Sequence, residues 1–362
     1  MMTKKSLALF SFLFFMISSL LAQNKIPIGE WRAHLPYREF ISLTQSSETL
    51  FCATPWSVLM IDKEEMSLTF LSKVDGLSNA GMGVIKYSDQ HQTLIASYAN
   101  SIFDLVSENG IKTFEDIKTD GNFTDRTIND IYIDGDFAYF STGFGVVRFN
   151  LLSEEFDFTL NLGIKVSSVA VHENQIYAAT EEGLYIAPNS NNLNLQDFSN
   201  WTLLDYTNGF PGSYSSNAIA VFNNQVYLDI NDELHRLVGT TPELIYPKTD
   251  NLHINYLTTE GTGLLVGLRC DDNCAGKTLY INPQDEIKEM GWLCSDRPLH
   301  AIEDEAAQIW LADSWRGLRK ANSGGGACDR MEFDSPLTHS SSQIVVHNDD
   351  CLLYTSPSPR DS

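Results

Sequence analysis

The stretch from Ile128 to Asn150, INDIYIDGDFAYFSTGFGVVRFN, decides the fold. It reads as a strand from Ile128 to Ile133, a polar turn at Asp134, Gly135 and Asp136, and a second strand from Phe137 to Thr142. A glycine turn at Gly143, Phe144 and Gly145 leads to a third strand from Val146 to Phe149. Gly and Asp tolerate the turn backbone that bulky residues resist, so short β-branched and aromatic runs bounded by them describe antiparallel hairpins.

Outward from this stretch the same hairpin recurs. It appears as LFCATPWSVLMID from Leu50, LIASYANSIFDLV from Leu94, AYFSTGFGVVRFN from Ala138 and IYAATEEGLYIA from Ile176. It continues as VYLDINDELHRLV from Val226, LLVGLRCDDNCAGKTLYIN from Leu264 and IWLADSWRGLRKA from Ile309. The starts lie 38 to 50 residues apart, close to the interval of about 40 to 50 set by four-stranded propeller blades. A short strand precedes each hairpin, and an outer segment follows, often marked by an aromatic such as Phe70, Phe114, Phe158, Trp201 or Trp292. The second strands carry small residues on both faces, as at Ala178, Ala179 and Ala312. Strands buried on both faces read that way, and radial stacking of blades buries both. The expected fold is therefore all-β: a propeller of seven four-stranded blades over residues 23–342.

The ends are read separately. Lys4 and Lys5, the apolar run from Ser6 to Leu21 and the small Ala22 describe a secretory signal peptide over residues 1–22, followed by Gln23 rather than a lipidation cysteine. No other stretch reaches the ~18 apolar residues of a membrane span. Trp31, in GEWRAHL, is expected on an outer strand, and MEFDS from Met331 reads as another. Residues 343–350 then begin either a second domain or an eighth blade. Residues 351–362, CLLYTSPSPRDS, break from the pattern and are expected to be a non-native tail, with the natural chain running on past Asp350.

The segments GEWRAHLPYREFISL, KVDGLSNAGMGVIKY (Lys73 to Tyr87) and DRTINDIYIDGDFAYFSTGFGVVRFNL (Asp125 to Leu151) resemble the N-terminal propeller of the PorZ family. DGLSN (Asp75 to Asn79) and IWLADSWRGL (Ile309 to Leu318) are similar, more broadly, to two-component-regulator propeller repeats. The PorZ resemblance implies an exported, non-enzymatic component of the type IX secretion system of Bacteroidota. Its place would be an outer-surface attachment complex, with a sortase and other proteins as partners and anionic lipopolysaccharide presented to that sortase. Two other readings stand beside it: the oligosaccharide-sensing propeller of a hybrid histidine kinase, and a propeller enzyme acting on polysaccharide.

The residues themselves support little catalysis. The eight histidines are scattered, with no HExxH, nucleophile elbow or metal-ligand spacing, and no catalytic residue, metal or cofactor is assigned. A net charge of −23 repels phosphate backbones, so nucleic acid is not an expected partner. Among six cysteines, Cys52 lies in an apolar strand and Cys351 in the tail. Cys270, Cys274, Cys294 and Cys328 remain for disulfides in an exported chain, with three pairings open. A bridge from Cys270 to Cys274 would pin the long CDDNC loop; a metal there would need a mixed soft and hard ligand set with Asp271 and Asp272. Turns between second and third strands share one face of a propeller, and several carry an aromatic: Trp56, Tyr98, Phe144 and Trp315, the last followed by Arg316. These five are the candidate binding residues, because aromatic faces stack on sugars and anchor protein interfaces.

Overall fold

The computed structural model describes residues 35–354 apart from 120–124, 191, 250, 273, 292–293, 323–326, 334, 337–342 and 348–349. The expected signal peptide, the Trp31 strand, Trp292 and residues 355–362 lie outside these. Seven four-stranded antiparallel sheets follow one another along the chain, and their strands run in simple up-and-down order. The inner strands are Ser42–Gln45, Met82–Ser88, Ile128–Asp134, Val166–His172, Ile219–Phe222, Leu252–Thr258 and Pro298–Glu303. The chain is a seven-bladed β-propeller.

Burial explains the sequence pattern. The second strands Thr93–Tyr98, Phe137–Thr142, Gln175–Thr180, Gln225–Ile230 and Gln308–Asp313 are buried at nearly every position, on both faces. One apolar cluster fills each interface between neighbouring blades. Phe103, Phe140 and Phe149 pack between blades 2 and 3, for example, and Leu234, Leu264 and Val266 between blades 5 and 6. With no alternating solvent face, small residues such as Ala178 and Ala179 let adjacent sheets approach.

The turns after the second strands have a recurrent lock. Thr54, Thr142 and Thr180, each fully buried, donate their hydroxyls to the carbonyls of Ser57, Gly145 and Gly183 and accept main-chain N–H groups from the same turns. At Gly145 a Cβ would stand 2.0 Å from the Leu160 carbonyl of the next strand, so only glycine fits.

The ring closes at seven blades. The Leu43 N–H of blade 1 donates to His300 Nδ1 of blade 7 at 3.3 Å, and Gln45 Nε2 donates to the Glu303 carbonyl at 2.8 Å. Blade 7 takes its outer strand from Asp329–Arg330. The following segment, read from sequence as an outer strand, continues that pairing through Met331, whose N–H donates to the Leu318 carbonyl at 3.0 Å, and then packs over the seam of blades 7 and 1, with Phe333 5.7 Å from Phe40. Beyond the ring, Gln343–His347 pairs with Asp350–Tyr354, so part of the segment expected to be foreign forms a strand here.

Candidate functional site

A propeller offers a ligand its axis and its turn-bearing face. The axis is a channel of about 570 Å³ lined by inner strands of all seven blades. Toward the end opposite the second-to-third-strand turns it is crossed by Lys86 Nζ, 2.5 Å from Glu260 Oε1, which also accepts from the Thr44 hydroxyl at 3.3 Å. Burial pulls the Lys86 ammonium down, but the Glu260 carboxylate outweighs it and holds the group above its usual value. Asp130, whose carboxylate accepts from the Ser168 hydroxyl at 2.6 Å, is pushed up by burial. Burial and the nearby Lys86 charge lower His300 to about 3, which keeps the imidazole neutral.

On the turn face the five candidate residues do not form one surface. Tyr98 is 1% exposed: it ends the second strand of blade 2 rather than lying in the turn, and its hydroxyl donates to Asp104 at 2.5 Å. Phe144 is 5% exposed, because its turn points the ring into the apolar cluster between blades 2 and 3. Both are packing residues, not surface platforms. Trp56 is half-buried in the turn after the second strand of blade 1. Trp315 stands 58% exposed, and the Arg297 guanidinium lies 4.0 Å above its ring.

Around Trp315 the structure brings together cations that are far apart in sequence. A cavity of about 620 Å³ is walled by Tyr37, Arg38, Trp315, Arg316, Arg330 and Phe333 among others. Arg316 Nε sits 2.5 Å from Asp296 Oδ2, and Arg330 is 3.5 Å from Glu332. Burial first, and then the charges of Arg330 and Arg316, pull Arg319 below its usual value, against the opposing carboxylates of Asp313 and Asp296. Asp313, fully buried, holds the patch: Oδ1 accepts the N–H groups of Trp315 and Arg316 at 2.8 Å, and Oδ2 those of Asp296 and Arg297 at 2.7 Å. The sequence signal missed was the Asp-x-x-x-Gly turn beginning at Asp313.

The cysteines are paired as Cys270 with Cys274 and Cys294 with Cys328, with Cα separations of 5.7 and 5.2 Å, and Cys52 is free and buried. The first bridge closes the CDDNC loop, whose Asp272 carbonyl accepts from Arg297 at 3.3 Å, so the loop abuts the Trp315 patch. Among the described residues no three His, Cys, Asp or Glu side chains converge to hold a metal ion. No helix among them is long and apolar enough to cross a membrane.

Fold and site together define a seven-bladed propeller with an aromatic and cationic surface on its turn face and a polar axial channel. Residues 50–202 match the family model described as the TSS9, PorZ, N-terminal beta-propeller domain, so this part of the chain is similar to the PorZ propeller. A solved structure of PorZ from Porphyromonas gingivalis, described as an essential bacterial surface component of the type-IX secretion system, superposes with a TM-score of 0.75 at 21% identity. The alignment covers 88% of this chain and 42% of that one, so the chain spans less than half of the PorZ length. A chain of a mitotic checkpoint complex (TM-score 0.58, 11% identity, 82% and 94% covered) shares the propeller fold. So does the computationally designed Ika8 protein (0.55, 10%, 90% and 96%). No curated protein sequence matches the chain.

Proposed function

We propose that the chain is the N-terminal propeller of a non-enzymatic, exported adaptor of the type IX secretion system, a platform in the surface attachment complex. Its partners are other proteins of that complex, including a sortase, and the anionic lipopolysaccharide presented to it. The observation that carries this reading is the match of residues 50–202 to the PorZ N-terminal propeller. The patch around Trp315 supplies a chemical reason: on a chain of net charge −23, Arg38, Arg297, Arg316 and Arg330 gather beside one exposed indole. Such a surface offers an anionic glycan both stacking and charge-assisted hydrogen bonds.

The test uses the full-length protein, tagged and expressed in its own cells. Cross-linked purification is expected to recover the sortase and other attachment proteins, and immobilised protein is expected to retain anionic lipopolysaccharide. Changing Trp315→Ala should weaken retention about tenfold, the loss of one exposed aromatic anchor, with thermal unfolding almost unchanged. Recovery of neither sortase nor lipopolysaccharide overturns the adaptor reading. A marked fall in melting temperature instead makes Trp315 a packing residue.

A further inference from the structure

At the turn-face end of the channel lies a second cavity, of about 410 Å³, lined by Asn129, Asn217, Asn255, Lys165, Ser167 and Arg269 among others. The three asparagines stand at or just before the inner strands of blades 3, 5 and 6. Each spends its amide nitrogen on a protein acceptor. Asn129 Nδ2 donates to the Val166 carbonyl at 2.8 Å, Asn217 Nδ2 to Asp229 Oδ2 at 2.9 Å and Asn255 Nδ2 to the Pro298 carbonyl at 3.2 Å. Because those partners only accept, each amide is oriented with its Oδ1 left over as an acceptor.

The cations here are equally underused. Arg269 Nε is buried with no hydrogen-bond partner, its nearest carboxylate oxygen being Asp271 Oδ1 at 3.8 Å. Ser167 Oγ is likewise buried and unpaired. Lys165 makes no close ion pair among the described residues, its charge acting at longer range on the Asp125 carboxylate. Asp232, by contrast, is already engaged by Lys248 at 2.6 Å and His253 at 2.9 Å. Buried polar atoms are nearly always paired, so a cavity that collects unpaired ones is short of a ligand. The volume falls within the range of small-molecule sites.

We propose that the mouth of the axial channel binds a small polyhydroxylated anion, a monosaccharide bearing a carboxylate or a phosphate. Its hydroxyls donate to Oδ1 of Asn129, Asn217 and Asn255, and its anionic group accepts from the exposed part of the Arg269 guanidinium and from the Lys165 ammonium. A neutral sugar leaves Arg269 unpaired, and inorganic phosphate reaches the cations without filling the amide ring. This site is separate from the Trp315 patch and does not depend on the adaptor reading.

Calorimetric titration of the full chain with glucuronate, glucose 6-phosphate, glucose and inorganic phosphate tests it. Saturable binding of one or both charged sugars is expected, with glucose and inorganic phosphate at least about tenfold weaker, or ~1.4 kcal/mol; the tighter of the two charged sugars identifies the anionic group. Arg269→Gln and, separately, the exposed Lys165→Gln should each weaken the charged sugars about tenfold with no change in melting temperature, and Trp315→Ala should leave them unaffected. Inorganic phosphate binding as tightly as glucose 6-phosphate reduces the mouth to a plain anion site and overturns the proposal. So does unchanged affinity in both charge variants, or no binding of either charged sugar. Loss of binding in Trp315→Ala alone would move the ligand to the other surface and overturn it too.

Discussion

The carboxylate of Asp313 accepts four main-chain N–H groups, from Asp296, Arg297, Trp315 and Arg316, so one buried side chain sets the direction of an exposed indole and two guanidinium groups. His300 acts in the same manner at the ring seam. Its Nδ1 accepts the Leu43 N–H, which places the proton on Nε2, and burial followed by the Lys86 charge depresses its pKa from 6.5 to about 3. A histidine depressed in the folded state contributes stability that is present above its unfolded pKa and is lost as pH falls toward the folded one. The wild-type protein is therefore expected to lose about 1.4 kcal/mol of stability per pH unit below 6.5 through this group. In His300→Gln that slope should shrink, so the two proteins converge in denaturant midpoint between pH ~7.5 and ~4.5. Parallel pH curves would show that His300 does not titrate with unfolding. Single residues were the least legible scale in the sequence. An aromatic beside a turn reads the same whether it points out, as Trp315 does, or inward, as Phe144 does. Only the packing of the neighbouring blade separates them.

The hairpin unit, by comparison, was readable, because its period and punctuation are local. The strand Phe137–Thr142 starts and stops where the Asp and Gly clusters say, and the third strand gains only Gly145 and Asn150 at its ends. The pairing of cysteines was not readable, since it depends on which connections meet at the rim. Cys294 leaves blade 6 and is fully buried in the cluster between blades 6 and 7, against which Cys328 packs just before the last outer strand. That bridge spans 34 residues and the Cys270–Cys274 bridge only 4. In the loop-entropy picture the long bridge contributes about 4 kcal/mol and the short one about 2. Replacing Cys294 and Cys328 together by Ser is expected to lower the denaturation midpoint roughly twice as far as replacing Cys270 and Cys274. Equal losses would assign the short bridge a larger role at the CDDNC loop than chain entropy allows.

Over the whole molecule, ring closure brings residues 37–39 beside residues 315–318 and 330–333, and so creates the cationic cavity from the two ends of the propeller. No window of sequence holds that patch, which is why only Trp315 and Arg316 of it could be named in advance. The same closure gathers guanidinium groups beside Glu39 and Glu332 within a molecule of net charge −23. The two fields act over different distances. Repulsion of an approaching polyanion comes from the whole chain and extends a Debye length, about 30 Å at 0.01 M salt and about 8 Å at 0.15 M. Attraction to Arg38, Arg297 and Arg330 acts within a few ångströms of contact, where salt screens less. Adding salt should therefore speed the encounter of an anionic glycan with the Trp315 patch while it also speeds dissociation, the reverse of the usual slowing between opposite charges. Surface-binding kinetics at these two ionic strengths check this directly. An association rate that falls with salt would mean that the patch's own field, rather than the chain's net charge, governs approach, and an anionic ligand would then be steered to this face from solution.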